Sequence, residues 1–411
     1  MSAEKKLVSR KRYLDALTPF RGNGNAKVMT GVRRCGKSSL LSTFAETVPK
    51  DSNLIMVDME FSENDELKDW KKLLGYVRSE LDADTENILV LNEVQDIPQW
   101  ESAVRDMIAK GSCDIYLTGS NSNLLSSEYS SYLGGRYNDV RMLPLSFTEC
   151  AEFNKVYKGG TGPDMLLERF IRAGGFPIVW RYGMDEVSSI RTVKTIVDSS
   201  VNNDIVKRYN VRNADLLMII LRTVASTVGS YVSAINIYNT LASGGTQASK
   251  ETVYEYLGYL EAANLIIKAE TMDLRGRAIL KSAYKYYVSD LAIKHSLIGY
   301  RPDDIPGHIE NIIFTELVGR GYDVYVGRSD GKEVDFSAER GDERIYVQAC
   351  TVFGSEETMR RELRSMESIG DSHPKFVVLK DPGVFKGTTS KGITICGLRE
   401  FLEAEDLRTV R

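Results

Sequence analysis

The clearest chemistry in this chain lies in Gly31-Val32-Arg33-Arg34-Cys35-Gly36-Lys37-Ser38. An apolar Val28-Met29 pair precedes these residues and Ser39-Leu40-Leu41 follows, so the stretch reads as a strand, a glycine-bounded loop and a helix start. Its spacing fits G-x-x-x-x-G-K-[ST], the phosphate-binding-loop pattern. Gly31 and Gly36 let the backbone curl so that the N–H groups of Val32, Arg33, Arg34, Cys35 and Ser39 can face a phosphate. The helix beginning at Lys37 turns its positive end toward the same anion. Lys37 can reach β- and γ-phosphates, and the Ser38 hydroxyl can ligate Mg²⁺, so the expected cofactors are ATP and magnesium.

A second group stands about fifty residues on. Asn87-Ile88-Leu89-Val90-Leu91-Asn92-Glu93 places four apolar strand formers ahead of two polar residues, a strand that delivers its end to a site. The metal-side position of such a strand is an acid that assists Mg²⁺, and the next glutamate activates water. Asn92 takes the first place and Glu93 the second. An amide oxygen accepts a hydrogen bond from metal-bound water but brings no negative charge. Asp114 to Asn121 is a further strand, whose Ser120 and Asn121 either sense the γ-phosphate or close a turn. Arg136, after Gly134-Gly135, is either an arginine finger acting on phosphate charge or a surface arginine.

The remaining elements follow from periodicity. Lys27–Thr30 is the first strand, Lys37–Thr47 a helix, Asn53–Phe61 a strand, Asp65–Leu81 a helix and Asp139–Ser146 the fifth strand. Arg10-Lys11-Arg12 reads as a solvated helix face, with phosphate contact as the alternative.

The motifs occur in a characteristic order: Gly31–Ser38, Asn92-Glu93-Val94-Gln95 with Trp100, Thr118-Gly119-Ser120, Gly135-Arg136 and Pro144-Leu145-Ser146-Phe147. In this order they resemble the AAA+-type ATPases of prokaryotes, the archaeal ATPase and origin-recognition-like group, that carry a C-terminal domain of unknown function. The resemblance extends through Gly174-Gly175-Phe176-Pro177 and Asp204–Arg208. It implies an α/β fold with an AAA+ core at residues 1–160 and a helical lid at 161–212. Family members end the strand Asp-Glu, so Asn92 is a departure. From the lid, Arg208 either reaches nucleotide or forms an ordinary ion pair.

Residues 213–290 read as a winged helix-turn-helix, with Lys250 to Ala262 in the recognition-helix place. Two acids and one lysine near its start make a poor phosphate surface, so the module either contacts DNA or packs against the ATPase or another protein, and Arg275, Arg277 and Lys281 are the better phosphate contacts. Residues 300–411 resemble the PD-(D/E)xK nuclease fold, with Glu316 and Asp335 as acids and Gln348 in the third ligand place. Cys350 holds the lysine place, so a nuclease-shaped domain without cleavage is the favoured reading.

The whole chain sets further bounds. Its 411 residues require several cores, and a net charge of −4 argues against a whole-protein clamp on nucleic acid. No apolar run is long enough for a membrane span, and five scattered cysteines suit a reducing, cytoplasmic setting. Three histidines show no metal-ligand spacing. The function these features imply is an ATP-binding switch with ATPase ancestry. DNA, a partner protein or a second copy of the chain is the expected partner. The alternatives are a nucleotide-gated scaffold without turnover or a metal-dependent nuclease.

Overall fold

The structure is a computed structural model that describes residues 8–122, 133–230, 233–246, 248–329, 331–353 and 356–410. It divides into two compact units, residues 1–143 with 262–264, and residues 144–261 with 265–411.

The first unit is a parallel sheet. Its strands are β1 (Ala26–Thr30), β2 (Asn53–Asp58), β3 (Asn87–Asn92), β4 (Asp114–Gly119) and β5 (Tyr137–Arg141), in the order β2-β3-β4-β1-β5. All the pairings are parallel. Ile88, Leu89, Val90 and Leu91 are each at most 1% exposed, the continuous apolar run that a strand covered on both faces requires. β2 and β5 are shorter than expected at their C-terminal ends.

The helix expected from Asp65 begins only at Trp70. Asp69 has an extended backbone, and its carboxylate caps the N–H groups of Lys71 and Lys72, so it starts the helix there. Leu73, Leu74 and Val77 of that helix pack with Trp100, Ala103, Val104 and Met107 of the helix Trp100–Lys110. Each leucine, valine or methionine among them contributes about 1.5–3 kcal/mol by burial.

The second unit begins with helices Phe147–Lys158, Pro163–Ala173, Pro177–Tyr182 and Glu186–Ser200; a π-helical turn, Val201–Val206, continues the last. Gly175 is required by close approach, because a Cβ there would meet Leu145 O at 2.1 Å. The next segment supplies helices Ala214–Ser226, Ala234–Ser243 and Lys250–Ala262 and the antiparallel hairpin β6 (Ile266–Asp273) and β7 (Ala278–Val288). Next come β8 (Asp323–Ser329), β9 (Lys332–Arg340), β10 (Glu343–Cys350), β11 (Lys375–Leu379), β12 (Gly387–Thr388) and β13 (Ile393–Gly397).

These strands form one mixed eight-stranded sheet in the order β12-β13-β11-β10-β9-β8-β6-β7. The β6–β7 hairpin is therefore part of the C-terminal sheet, through parallel pairing of β6 with β8. Strands on either side of the expected boundary between residues 290 and 300 thus share one sheet. Helices Leu291–Ile298 and Ile305–Gly319 lie between the hairpin and β8 in sequence. They bury His295 and His308, whose ring centroids are 5.0 Å apart. His295 Nδ1 is 2.8 Å from Arg172 O. Among the described residues no helix is long and apolar enough to cross a membrane.

Candidate functional site

β1 ends at Thr30, and the loop after it turns back hard. A Cβ on Gly31 would stand 2.3 Å from Met142 O, so only glycine fits. Arg34 and Gly36 take positive φ values of 65° and 111°, which aim successive N–H groups inward. Gly36 begins the helix Lys37–Thr47 without a side-chain cap, so the first-turn N–H groups are left for an anion. Arg33 is half-buried, while Arg34, Ser38 and Ser39 are exposed; Val32 and Cys35 are buried.

Lys37 is buried and folds back on the loop. Its Nζ lies 2.9 Å from Gly31 O, 3.4 Å from Val32 O and 3.8 Å from Glu93 Oε1. Ser38 Oγ donates to Asn92 Oδ1 at 3.2 Å, and Thr118 Oγ1 donates to the same oxygen at 2.6 Å. The parallel register makes this meeting inevitable: Leu91 pairs with Leu117, and Met29 pairs with Thr118. Glu93 N–H in turn donates to Thr118 Oγ1 at 3.2 Å. Two buried polar atoms at these strand ends, Thr30 Oγ1 and Asn92 Nδ2, have no hydrogen-bond partner.

Glu93 is 7% exposed and adopts a left-handed φ of 53°. Its second carboxylate oxygen accepts from Gln95 Nε2. Ser120 and Asn121 are fully buried, and Ser120 O accepts from Asn264 Nδ2 at 3.2 Å. Arg136 is exposed, and its backbone carbonyl anchors Ala26 N–H. Arg208 is exposed in the second unit.

Sequence reasoning missed Arg10. It is 4% exposed, not part of a solvated face, and its Nη1 donates to Cys35 O at 2.8 Å and Leu143 O at 3.0 Å. Tyr13 beneath it accepts Leu143 N–H through its hydroxyl at 3.0 Å. The local run of charges carries no sign of these partners.

The C-terminal group also needs correction. Glu316 turns to Arg320 Nε at 2.7 Å. The helix acid that acts on Asp335 is Glu310, six residues earlier. Burial and then Glu310 hold the Asp335 carboxyl well above its ordinary range, against Lys285, which lowers it. Burial pulls the Lys285 ammonium down, and Glu310, Asp335 and Glu333 more than reverse that. Gln348 Oε1 accepts Asp335 N–H at 3.2 Å, and Asp335 Oδ2 accepts Ala349 N–H at 2.8 Å. Among the described residues no three His, Cys, Asp or Glu side chains are arranged to hold a metal ion. Arg275 and Arg277 are exposed in the β6–β7 turn; the side chain of Lys281 lies outside the described residues.

Comparison with known proteins agrees with the first unit. Residues 23–151 match an AAA domain, and residues 165–304 match a domain of unknown function, DUF8612. An uncharacterized protein of Haemophilus influenzae is 35% identical over 84% of this chain and 87% of its own. An uncharacterized protein of Methanocaldococcus jannaschii, MJ1544, is 29% identical over 88% of this chain and 84% of its own. Solved structures with some similarity include Cdc6p from Pyrobaculum aerophilum, with a TM-score of 0.31, 13% identity and coverage of 76% of this chain and 96% of that one. The Aeropyrum pernix Orc1 protein, solved in complex with DNA, gives a TM-score of 0.29 at 11% identity, covering 70% of this chain and 90% of that one. The identity and coverage of the first relative place this chain in one family with the Haemophilus influenzae protein, and its N-terminal part is a nucleotide-binding AAA-type P-loop ATPase domain.

Proposed function

We propose that this chain binds ATP with Mg²⁺ and works as a nucleotide-driven switch. The observation that carries the proposal is the meeting of Ser38 Oγ and Asn92 Oδ1 at 3.2 Å, beside a loop whose helix N-terminus is uncapped. The donors fit magnesium: a hydroxyl and an amide oxygen are hard ligands, although neither carries charge. Ser38 would hold the ion, with Asn92 supporting it. When bound, Mg²⁺ neutralises charge on the phosphates.

The chain's own residues do the rest. Lys37 exchanges the carbonyls of Gly31 and Val32 for phosphate oxygens. Glu93 then loses its cationic neighbour and is released to orient water and take its proton. Arg136 supports phosphate charge across a subunit boundary in a homo-oligomer. Free cysteines throughout the chain suit a cytoplasmic setting.

Nucleotide titration and turnover test this reading. Lys37→Ala should weaken ATP binding at least tenfold. Glu93→Gln should keep binding and lose roughly 10²- to 10⁴-fold in turnover. Equal ATP binding by Lys37→Ala and the parent sinks the assignment.

A second reading is a nucleotide-gated scaffold that binds DNA or protein without turnover. The amide at Asn92, where a carboxylate would assist the metal, favours it. On this reading Arg275 and Arg277, exposed in the wing turn, contact phosphate. Replacing both by alanine should lower the salt slope of duplex binding by about two. No duplex binding at low salt points to a protein partner.

A further inference from the structure

The C-terminal sheet gathers acids around a buried ammonium, which comes from an unexpected strand. Lys285, on β7, is 2% exposed. Its Nζ lies 2.8 Å from Glu310 Oε1, on the helix Ile305–Gly319, and 2.6 Å from Glu333 Oε1, on β9. Tyr287 Oη donates to the same Glu310 oxygen at 2.6 Å. The ring of Tyr287 stacks on Phe314 at 4.1 Å, which gives the charges an apolar wall.

Two further oxygens accept backbone N–H groups. Asp335 Oδ2 takes Ala349 N–H, and Gln348 Oε1 takes Asp335 N–H. Gln348 Nε2 donates to Glu362 Oε2 at 3.1 Å. Glu310 Oε2 faces the backbone at Gly229, where even a Cβ would approach to 2.9 Å. A divalent ion entering this group would have to displace donors from several oxygens and stand beside a fixed ammonium in an apolar surround, where repulsion is poorly screened.

We propose that the Lys285 ammonium is the resident cation of this centre: it fills the place a divalent metal would need and closes the carboxylates of Glu310, Glu333 and Asp335 to Mg²⁺ or Mn²⁺. The C-terminal unit is then a filled counterpart of a metal-dependent nuclease centre and does not cleave phosphodiesters. Its latent ligand is an oxygen-seeking divalent cation, admitted only when the ammonium is removed. The proposal is independent of the nucleotide reading, because it concerns residues of the second unit alone.

Binding of Mn²⁺ to the full chain, free of nucleotide and stripped of metal, tests it by loss of the free-ion paramagnetic resonance signal. The parent and Asp335→Asn should give the same isotherm. Lys285→Met should gain one site at least tenfold tighter than any in the parent, and Lys285→Met with Asp335→Asn should lose it. A site in the parent that Asp335→Asn removes overturns the proposal, as does a folded Lys285→Met that gains nothing. If Lys285→Met does not fold, the parent and Asp335→Asn still decide: matching isotherms support the filled centre, and an Asp335-dependent site or Mn²⁺-dependent plasmid cleavage refutes it.

Discussion

Arg10 braces Cys35: the guanidinium reaches the loop carbonyl at 2.8 Å and shares its Nη1 with Leu143 O, 133 residues away in sequence. A hydrogen bond from a charged donor contributes about 1.5–3 kcal/mol, and its removal leaves buried carbonyls without a partner. Arg10→Met should therefore lower the unfolding midpoint and weaken ATP binding by about tenfold. Lys11→Met is the control, since Lys11 is 81% exposed and paired with Asp15 at the surface, and it should change neither. Thermal unfolding with a fluorescent-nucleotide titration measures both.

Two glycine substitutions should go in opposite directions. Gly31→Ala drives a methyl into Met142 O and should abolish measurable nucleotide binding. Gly75→Ala, in an exposed helix position with nothing within 4 Å, should stabilise by up to about 1 kcal/mol. Denaturant unfolding of the two variants beside the parent gives the comparison.

Asn92→Asp places a carboxylate between the hydroxyls of Ser38 and Thr118, both of which already donate to that position. A charged ligand in a hard-cation site should tighten the Mg²⁺ dependence of ATP binding by about tenfold and raise turnover. Thr118→Val should undo part of the gain, because its hydroxyl orients the side chain at 92 and holds Glu93 N–H. Steady-state ATPase assays across Mg²⁺ concentrations decide it. Unchanged Mg²⁺ dependence in Asn92→Asp would remove residue 92 from the metal's environment.

Acid should loosen the second unit through its histidine pair. Burial pushes His295 down to about 4 and His308 down to about 3. Lys294 adds to both shifts, and Asp304 opposes them. Because both histidines stay neutral when folded, their full contribution is present above the unfolded value near 6.5 and is lost as pH falls toward the folded values. His308→Leu should flatten the acid limb between pH 6.5 and about 3, by up to about 1.4 kcal/mol per pH unit. Unfolding free energies measured across that range would show parallel curves if His308 is protonated normally.

The phosphate-binding loop was legible because its demands are local: two glycines, a lysine and a serine at fixed spacing leave few other structures open. The strand carrying Asn92 and Glu93 was legible for the same reason, as an apolar run ending in polar residues. The helix acid was misread because sequence does not show which helix face meets the sheet. Glu310 and Glu316 differ by six residues, roughly 240° of helical rotation, so they cannot share a face. The choice of Glu310 comes from Lys285, which sits on a strand that precedes the helix in the chain. Arg10 was hidden likewise, since its partners are backbone oxygens that only the folded chain brings near.

The parallel pairing of β6 with β8 also constrains how this part of the molecule can be inherited. A cassette starting near residue 300 would leave behind the hairpin that covers one side of β8, together with the lysine that neutralises Glu310. It would carry a bare strand edge and an unpaired buried acid into any new setting. A fusion, duplication or transfer that preserves this fold must therefore take the hairpin along, and a family of chains related by such events should be divisible before Leu265 but not at the loop beyond β7.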